Sequence, residues 1–137
     1  MIQQGDAIWY PGTGPDHSPG SGHYCVVVKV DEENDDLYSV PISSEMLNFD
    51  ETCIINPGEG CAYIKVKSFA AYFHAKKSSL KGVKAQITSR RISIVGHIPP
   101  SVFRRVMEGI TRSEDTEPGF KKAFMPRPPS RRILEAK

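Results

Sequence analysis

Apolar positions are densest between Tyr24 and Ser44, in the stretch YCVVVKVDEENDDLYSVPISS. The run Cys25 to Val30 is rich in β-branched residues and too short for an ordinary helix. Asp31 to Asp36 is charged and holds Asn34 and three aspartates, all good turn formers. Leu37 to Ile42 then resumes an extended pattern, so the stretch predicts an antiparallel hairpin with a longer loop. Tyr24, Val26, Val28 and Val30 share one face, where Val40 and Ile42 can meet them from the partner strand. Cys25 and Val27 make the other face apolar as well. That predicts a central strand of a small closed sheet rather than an edge.

The remaining pattern decorates or closes this sheet. Gly5 to Tyr10 predicts a short strand, with the sole tryptophan, Trp9, as a core or rim anchor. Pro11 to Gly22 is a long loop rich in Gly, Pro and Ser, and it holds His17. Its glycines do not form the GxxxxGK[ST] phosphate loop. Asn56 to Gly60 is a turn. Tyr63 to Phe73 predicts one longer strand bent near Ser68, with Ile64 and Val66 alternating against Lys65 and Lys67. His74 to Lys84 is a basic connection. Ala85 to Ser89 predicts a short strand, and Arg91 to Gly96 a strand or the approach to a helix. Pro99 and Pro100 suit a helix start. Val102, Phe103, Val106, Met107 and Ile110 then fall at helical spacing, with Arg104, Arg105 and Glu108 outside. Gly109 weakens the last turn of that helix. Glu117 to Phe124 predicts one more short helix, docked by Phe120 and Phe124. The fold class is mainly β with a C-terminal α element. Residues 1–125 form one domain, and the Pro- and Arg-rich residues 126–137 form an extended or flexible tail.

At 137 residues the chain has single-domain size. A fold of this length buries roughly two-thirds of its unfolded surface. Net charge is only +2, so no global field demands nucleic acid. The charge is uneven, however, with acids at Asp31–Asp36 and Glu114–Glu117 and bases at Lys76–Lys84, Arg90-Arg91 and the tail. Cys25, Cys53 and Cys61 are an odd set without CxxC spacing, which argues against a disulfide framework or a zinc knuckle. His74 and His97 lack carboxylate or cysteine neighbours at ligand spacing, so no metal and no cofactor is expected. The opening MIQQGDAIWYPG lacks a charged region followed by an apolar run, so no secretory leader is expected. No stretch reaches the apolar length of a membrane span, and the expected location is the cytoplasm.

The order of parts resembles the PemK/MazF-like toxin family. The segments that carry the resemblance are Gly5-Asp6-Ala7-Ile8-Trp9, Pro41-Ile42-Ser43-Ser44, Ser68-Phe69-Ala70-Ala71-Tyr72 and Gly96 to Ile110. They span most of residues 4–112 in order, and each alone is weak. The family pattern opens with Gly-Asp-Ile-Val-Trp, passes a Pro-Ile-Thr-Ser segment and closes with an apolar helix. The resemblance implies a small SH3-like β-barrel closed by a C-terminal amphipathic helix. It also implies metal-free cleavage of single-stranded RNA, a homodimer and an antitoxin partner. This chain departs from the pattern in two ways. Family toxins carry a basic pair after the first long loop, where this chain reads Gly22-His23-Tyr24-Cys25. The family threonine is Ser43. A divergent branch, resembled by Asp50-Glu51-Thr52-Cys53 and by Tyr63 to Phe69, carries a histidine where this chain has Val66.

Metal-free RNA cleavage needs a base for the 2′-hydroxyl, an acid for the leaving oxygen and a donor for the phosphate charge. His23 suits the base or acid role, because its ordinary pKa lies near working pH. Ser43 offers a hydrogen bond. Lys65 or Lys67 offers a point charge for phosphate. These three catalytic candidates, His23, Ser43 and Lys65, are joined by Ser44, Lys67, Ser68, Tyr72 and Arg91 as substrate-binding candidates. Tyr63, Phe69 and Tyr72 beside the basic strand would make a groove for single-stranded RNA. Each residue has a plainer reading. His23 fits an exposed loop histidine, Lys65 and Lys67 fit the wet face of a strand, Ser43 and Ser44 fit a turn, and the aromatics fit the core. Cys53 with His23 as a nucleophile pair has no support in spacing. The alternative function is a catalytically silent SH3-like barrel that binds a protein or a nucleic acid.

Overall fold

The computed structural model describes residues 2–11, 22–44, 49–59 and 64–125. The loop with His17, the residues around Met46 and Leu47, Cys61, Tyr63 and the tail from Pro126 lie outside them. Seven strands form one antiparallel sheet: β1 (Asp6–Pro11), β2 (Gly22–Asp31), β3 (Asp36–Ser43), β4 (Ile54–Ile55), β5 (Ser68–Ala70), β6 (Lys76–Ser79) and β7 (Ser93–His97). Three helices follow or interrupt them: α1 (Leu80–Thr88), α2 (Pro100–Arg112) and α3 (Pro118–Lys122). The strand order is β4-β5-β3-β2-β1-β7, with β6 added along β3. The mainly β reading holds. Among the described residues β4 does not pair with β7, so the sheet is open rather than a closed barrel.

The hairpin forms as its sequence dictates. Tyr24 pairs with Ile42, Val26 with Val40, and Asp31 with Asp36. The Asp31 carboxylate closes the turn by accepting from the Asn34 backbone N–H at 3.1 Å and its side-chain amide at 2.8 Å. Both faces of β2 are covered. Val26, Val28, Val40 and Ile42 pack with Ile98, just before α2, and with Val102, Val106 and Ile110 from α2. Val27, Ile8 and Leu37 pack on the opposite face with Leu80 and Val83 from α1. Gly5 takes a positive φ of 87° beside the His97 ring, where a Cβ would collide. Its neighbour Asp6 is buried, accepts from the Gln3 N–H at 2.8 Å and meets His97 Nδ1 at 3.1 Å.

The α2 helix starts where the paired prolines predict, with Pro100 in its first turn. Its stripe of Val102, Val106 and Ile110 is buried. Gly109, a weak helix former, is explained by its neighbour. The buried Tyr72 hydroxyl donates to the Val106 carbonyl at 2.7 Å, and a Cβ at position 109 would fall inside that hydroxyl. The short α3 helix is capped by Glu117, whose carboxylate accepts from the Gly119 and Phe120 N–H groups. Phe120 and Phe124 then pack edge-on against Tyr38, at 5.4 and 5.5 Å between centroids.

Three sequence expectations change. Residues 64–67 are irregular, and the single strand expected over Tyr63 to Phe73 is only Ser68–Ala70, ended by a 3₁₀ turn at Tyr72–His74. The basic connection contains β6, which takes up the half of β3 that β5 leaves unpaired. The expected strand at Ala85 to Ser89 is the end of α1. Leu80, Val83 and Ile87 lie at helical spacing and turn to the second core. Ser79 caps this helix by accepting from the Gly82 N–H at 3.1 Å. Asp35, at φ 57°, ties the cap to the hairpin turn, accepting from the Lys81 N–H at 2.8 Å and the Ser79 hydroxyl at 2.9 Å.

Candidate functional site

The candidate residues gather at the end of the sheet where β2 begins and β3 ends. Tyr24 pairs with Ile42 and packs on the α2 side. His23 and Ser43 are the next residues outward from that pair on β2 and β3, His23 paired with Tyr10 and Ser43 with Phe69. Alternation turns them to the α1 side of the sheet, with Cys25 and Pro41 behind them. Tyr10 pairs with His23 from β1 and joins the same face. His23 is exposed and Ser43 half-buried. Trp9 is half-buried and tilts on Tyr24 at 4.8 Å, which makes it a rim anchor.

Of the basic candidates, Lys67 comes nearest by connection. Its ammonium lies 6.0 Å from the Phe49 ring, Phe49 packs on Phe69, and Phe69 pairs with Ser43. Lys65 is exposed on the irregular segment ahead of β5, and Ser44 is exposed just past the end of β3. Arg91 is exposed two residues before Ser93, which pairs with Trp9, so it lies toward this end from the β7 side.

Two candidates serve the core. Tyr72 is fully buried, and its hydroxyl is spent on Val106. Burial raises the pKa of that phenol far above its ordinary value, with the neighbouring Cys53 adding to the effect. Ser68 is buried, and its hydroxyl donates to the Val66 carbonyl at 2.9 Å. Phe69 is also buried, so the aromatic groove expected from Phe69 and Tyr72 is not open to a ligand. The exposed ring in this region is Phe73, with the His74 imidazole edge-on at 5.1 Å.

The thiols are poor nucleophiles. Burial pushes Cys25 up to about 11 against a smaller opposing pull from the Lys76 charge. Burial likewise raises Cys53, which packs on the α2 side, away from the His23 face. Among the described residues no cluster of three or more His, Cys, Asp or Glu side chains is placed to hold a metal ion.

Sequence reasoning missed Lys76. It pairs with Ser39 on β6, and its ammonium lies 4.9 Å from the Tyr10 ring. The signal was the basic run itself, but a run read as a connection has no faces to assign. A shallow depression of about 590 Å³ lies at the opposite end of the sheet, lined by Ile2, Gln3, Gln4, Val30, Glu32 and His97. It is remote from the His23 and Ser43 face, and we give it no part in the chemistry.

No protein-family model and no curated protein matches the sequence. Solved structures do match the fold. Two crystal forms of the MazE–MazF complex from Deinococcus radiodurans align over 81% of this chain. They cover 92% and 93% of the matched chains, with TM-scores of 0.52 and 0.51 and identities of 15% and 13%. The chain therefore has a divergent MazF/PemK-like fold. Among the described residues no helix is long and apolar enough to cross a membrane.

Proposed function

We propose that this chain is a MazF/PemK-like toxin that cleaves single-stranded RNA without a metal, acts in the cytoplasm as a homodimer and is held by an antitoxin. The observation that supports the reading most is the shared fold with chains of MazE–MazF complexes, taken with a histidine and a serine next to the Tyr24–Ile42 pair at one sheet end. His23 takes the proton from a ribose 2′-hydroxyl, and the freed oxygen attacks the adjacent phosphorus. The bond from phosphorus to the 5′-oxygen breaks, and that oxygen receives a proton from water, while His23 later returns its own to solvent. The products are a 2′,3′-cyclic phosphate and a 5′-hydroxyl. Ser43 donates to a phosphate oxygen, and Lys65 balances the added negative charge as a point cation. Ser44, Lys67 and Arg91 hold the flanking backbone.

The test is incubation of mixed-sequence single-stranded RNA with purified protein in EDTA. Discrete fragments ending in cyclic phosphate are expected. Intact RNA from folded protein would instead favour the second reading, a catalytically silent module that binds a protein or nucleic acid. One observation speaks for that alternative. Where family toxins place an arginine after the first loop, this chain has Gly22 to Cys25, and Tyr24 packs at a tilt against Trp9.

A further inference from the structure

The Lys76 ammonium sits where a strand neighbour would not place it. In the sheet β6 lies beside β3, and β3 and β2 separate it from β1. Strands lie about 4.8 Å apart, so three steps span about 14 Å on a flat sheet. Yet the ammonium lies 4.9 Å from the Tyr10 ring on β1. Two long side chains on the same face therefore reach toward each other across β3 and β2, the lysine passing over the Cys25–Pro41 pair toward the residue opposite His23. The Lys76 charge is felt at the Cys25 thiol, which agrees with that path.

The same face holds hydrogen-bonding capacity that the fold leaves unused. The Tyr10 Oη and the Ser39 Oγ are both buried, and among the described residues neither has a partner. Ser39 is fully buried, and it is the residue that Lys76 pairs with. An unmade hydrogen bond at a buried hydroxyl is destabilising. Two of them beside a lysine are not explained by stability. Among the described residues Lys76 has no acidic partner, and an exposed contact between lysine and an aromatic ring stabilises only weakly.

We propose that Lys76, with the Tyr10 hydroxyl, forms a phosphate-holding subsite on the His23 and Ser43 face. It supplies from β6 the cation that family toxins place after their first loop. This rests on the ribonuclease reading for its catalytic part, though not for phosphate binding itself. Lys76 makes and breaks no bond. Its charge lies beside the non-bridging phosphate oxygens and is favoured most when the attacking 2′-oxygen adds negative charge there. Tyr10 gives the second donor, as the lysine swings from the ring to the phosphate.

The test compares Lys76→Met with Lys77→Met, which removes the same charge from the next residue on the same strand. Lys77 pairs with Tyr38, whose side chain belongs to the α2-side core, so it faces the other way. Two readouts are used: cleavage of single-stranded RNA in EDTA, and binding of a single-stranded DNA of the same sequence, which lacks the attacking hydroxyl. Lys76→Met should lower kcat/KM about 100-fold and reduce the salt slope of DNA binding by about 0.7, the value of one phosphate contact on a single strand. Lys76→Arg should restore most of both, and Lys77→Met should change neither by more than about 3-fold. If the wild type binds DNA through Lys76 but leaves RNA intact, the ribonuclease reading fails and the phosphate site stands. If the Lys76 and Lys77 variants behave alike in both assays, or the folded wild type binds no DNA, the site is overturned.

Discussion

The two faces of the central hairpin use their polar groups differently. On the α2 side the Tyr72 hydroxyl is committed: it donates to Val106, and Gly109 is small so that this hydroxyl fits. On the α1 side, where Tyr10 packs against the second core, the hydroxyls of Tyr10 and Ser39 are buried and, among the described residues, unpartnered. His23 is exposed there, and Lys76 leans inward over Tyr10. Folding leaves few buried polar groups unpaired, so a cluster of them marks a place shaped for something else. One face is spent on stability. The other holds groups whose removal should cost little stability and much function.

That contrast can be broken on the stable face first. Gly109→Ala should destabilise the protein by about 2 kcal/mol, although alanine is the better helix former by about 1 kcal/mol. The added Cβ overpacks the Tyr72 hydroxyl and displaces its buried hydrogen bond. Denaturant unfolding would read this, and an unchanged midpoint would contradict the packing. A smaller effect is expected at the other end of the hairpin. Ser79→Ala removes the α1 cap and the Asp35 contact and should cost about 1 kcal/mol in the same experiment.

The smallest expected effect depends on pH. Asp50 accepts from the Ser113 hydroxyl at 2.5 Å and from the Thr52 N–H at 2.8 Å, which ties the segment before β4 to the end of α2. Burial opposes ionisation of this carboxyl, but the hydrogen bonds outweigh it and hold its pKa below the ordinary value. A depressed folded pKa means stability that is present above the ordinary aspartate value of about 4 and is lost as pH falls through the folded one. Asp50→Asn should therefore cost about 0.5–1 kcal/mol at pH 7, a hydrogen-bond contribution discounted for partial exposure. The difference from the wild type should shrink steadily on acidification. A constant difference across the acid range would show that the carboxylate charge is not what matters.

Legibility in the sequence followed the same division. The hairpin was readable because Cys25 to Val30 is β-branched and Asp31 to Asp36 is turn-rich. The α2 and α3 helices were readable because prolines start both and apolar stripes or paired phenylalanines dock them. The α1 helix was not, because Lys81, Gly82, Lys84 and Gln86 filled its exposed positions and hid the spacing of Leu80, Val83 and Ile87. The bend after Ala70 was equally hidden. Alternation over Ile64 to Lys67 suggested a strand running on to Phe73 with a bend near Ser68, which left both a groove and the core open for Phe69 and Tyr72; both lie in the core. His23 and Ser43 could be named from residue type and from the family pattern. Their placement at one sheet end came from ladder register, which depends on long-range pairing. Lys76 needed both the β6 pairing and the reach of its side chain to Tyr10.

The most direct measurement is a paired one on His23→Ala: the rate of single-stranded RNA cleavage in EDTA beside the thermal midpoint. The account predicts a loss of about 100-fold or more in cleavage, the usual size of a general acid–base contribution. It predicts a melting temperature unchanged from the wild type, because the side chain is exposed and packs into neither core. Cleavage by the variant at the wild-type rate would contradict the assignment of this face as the working site.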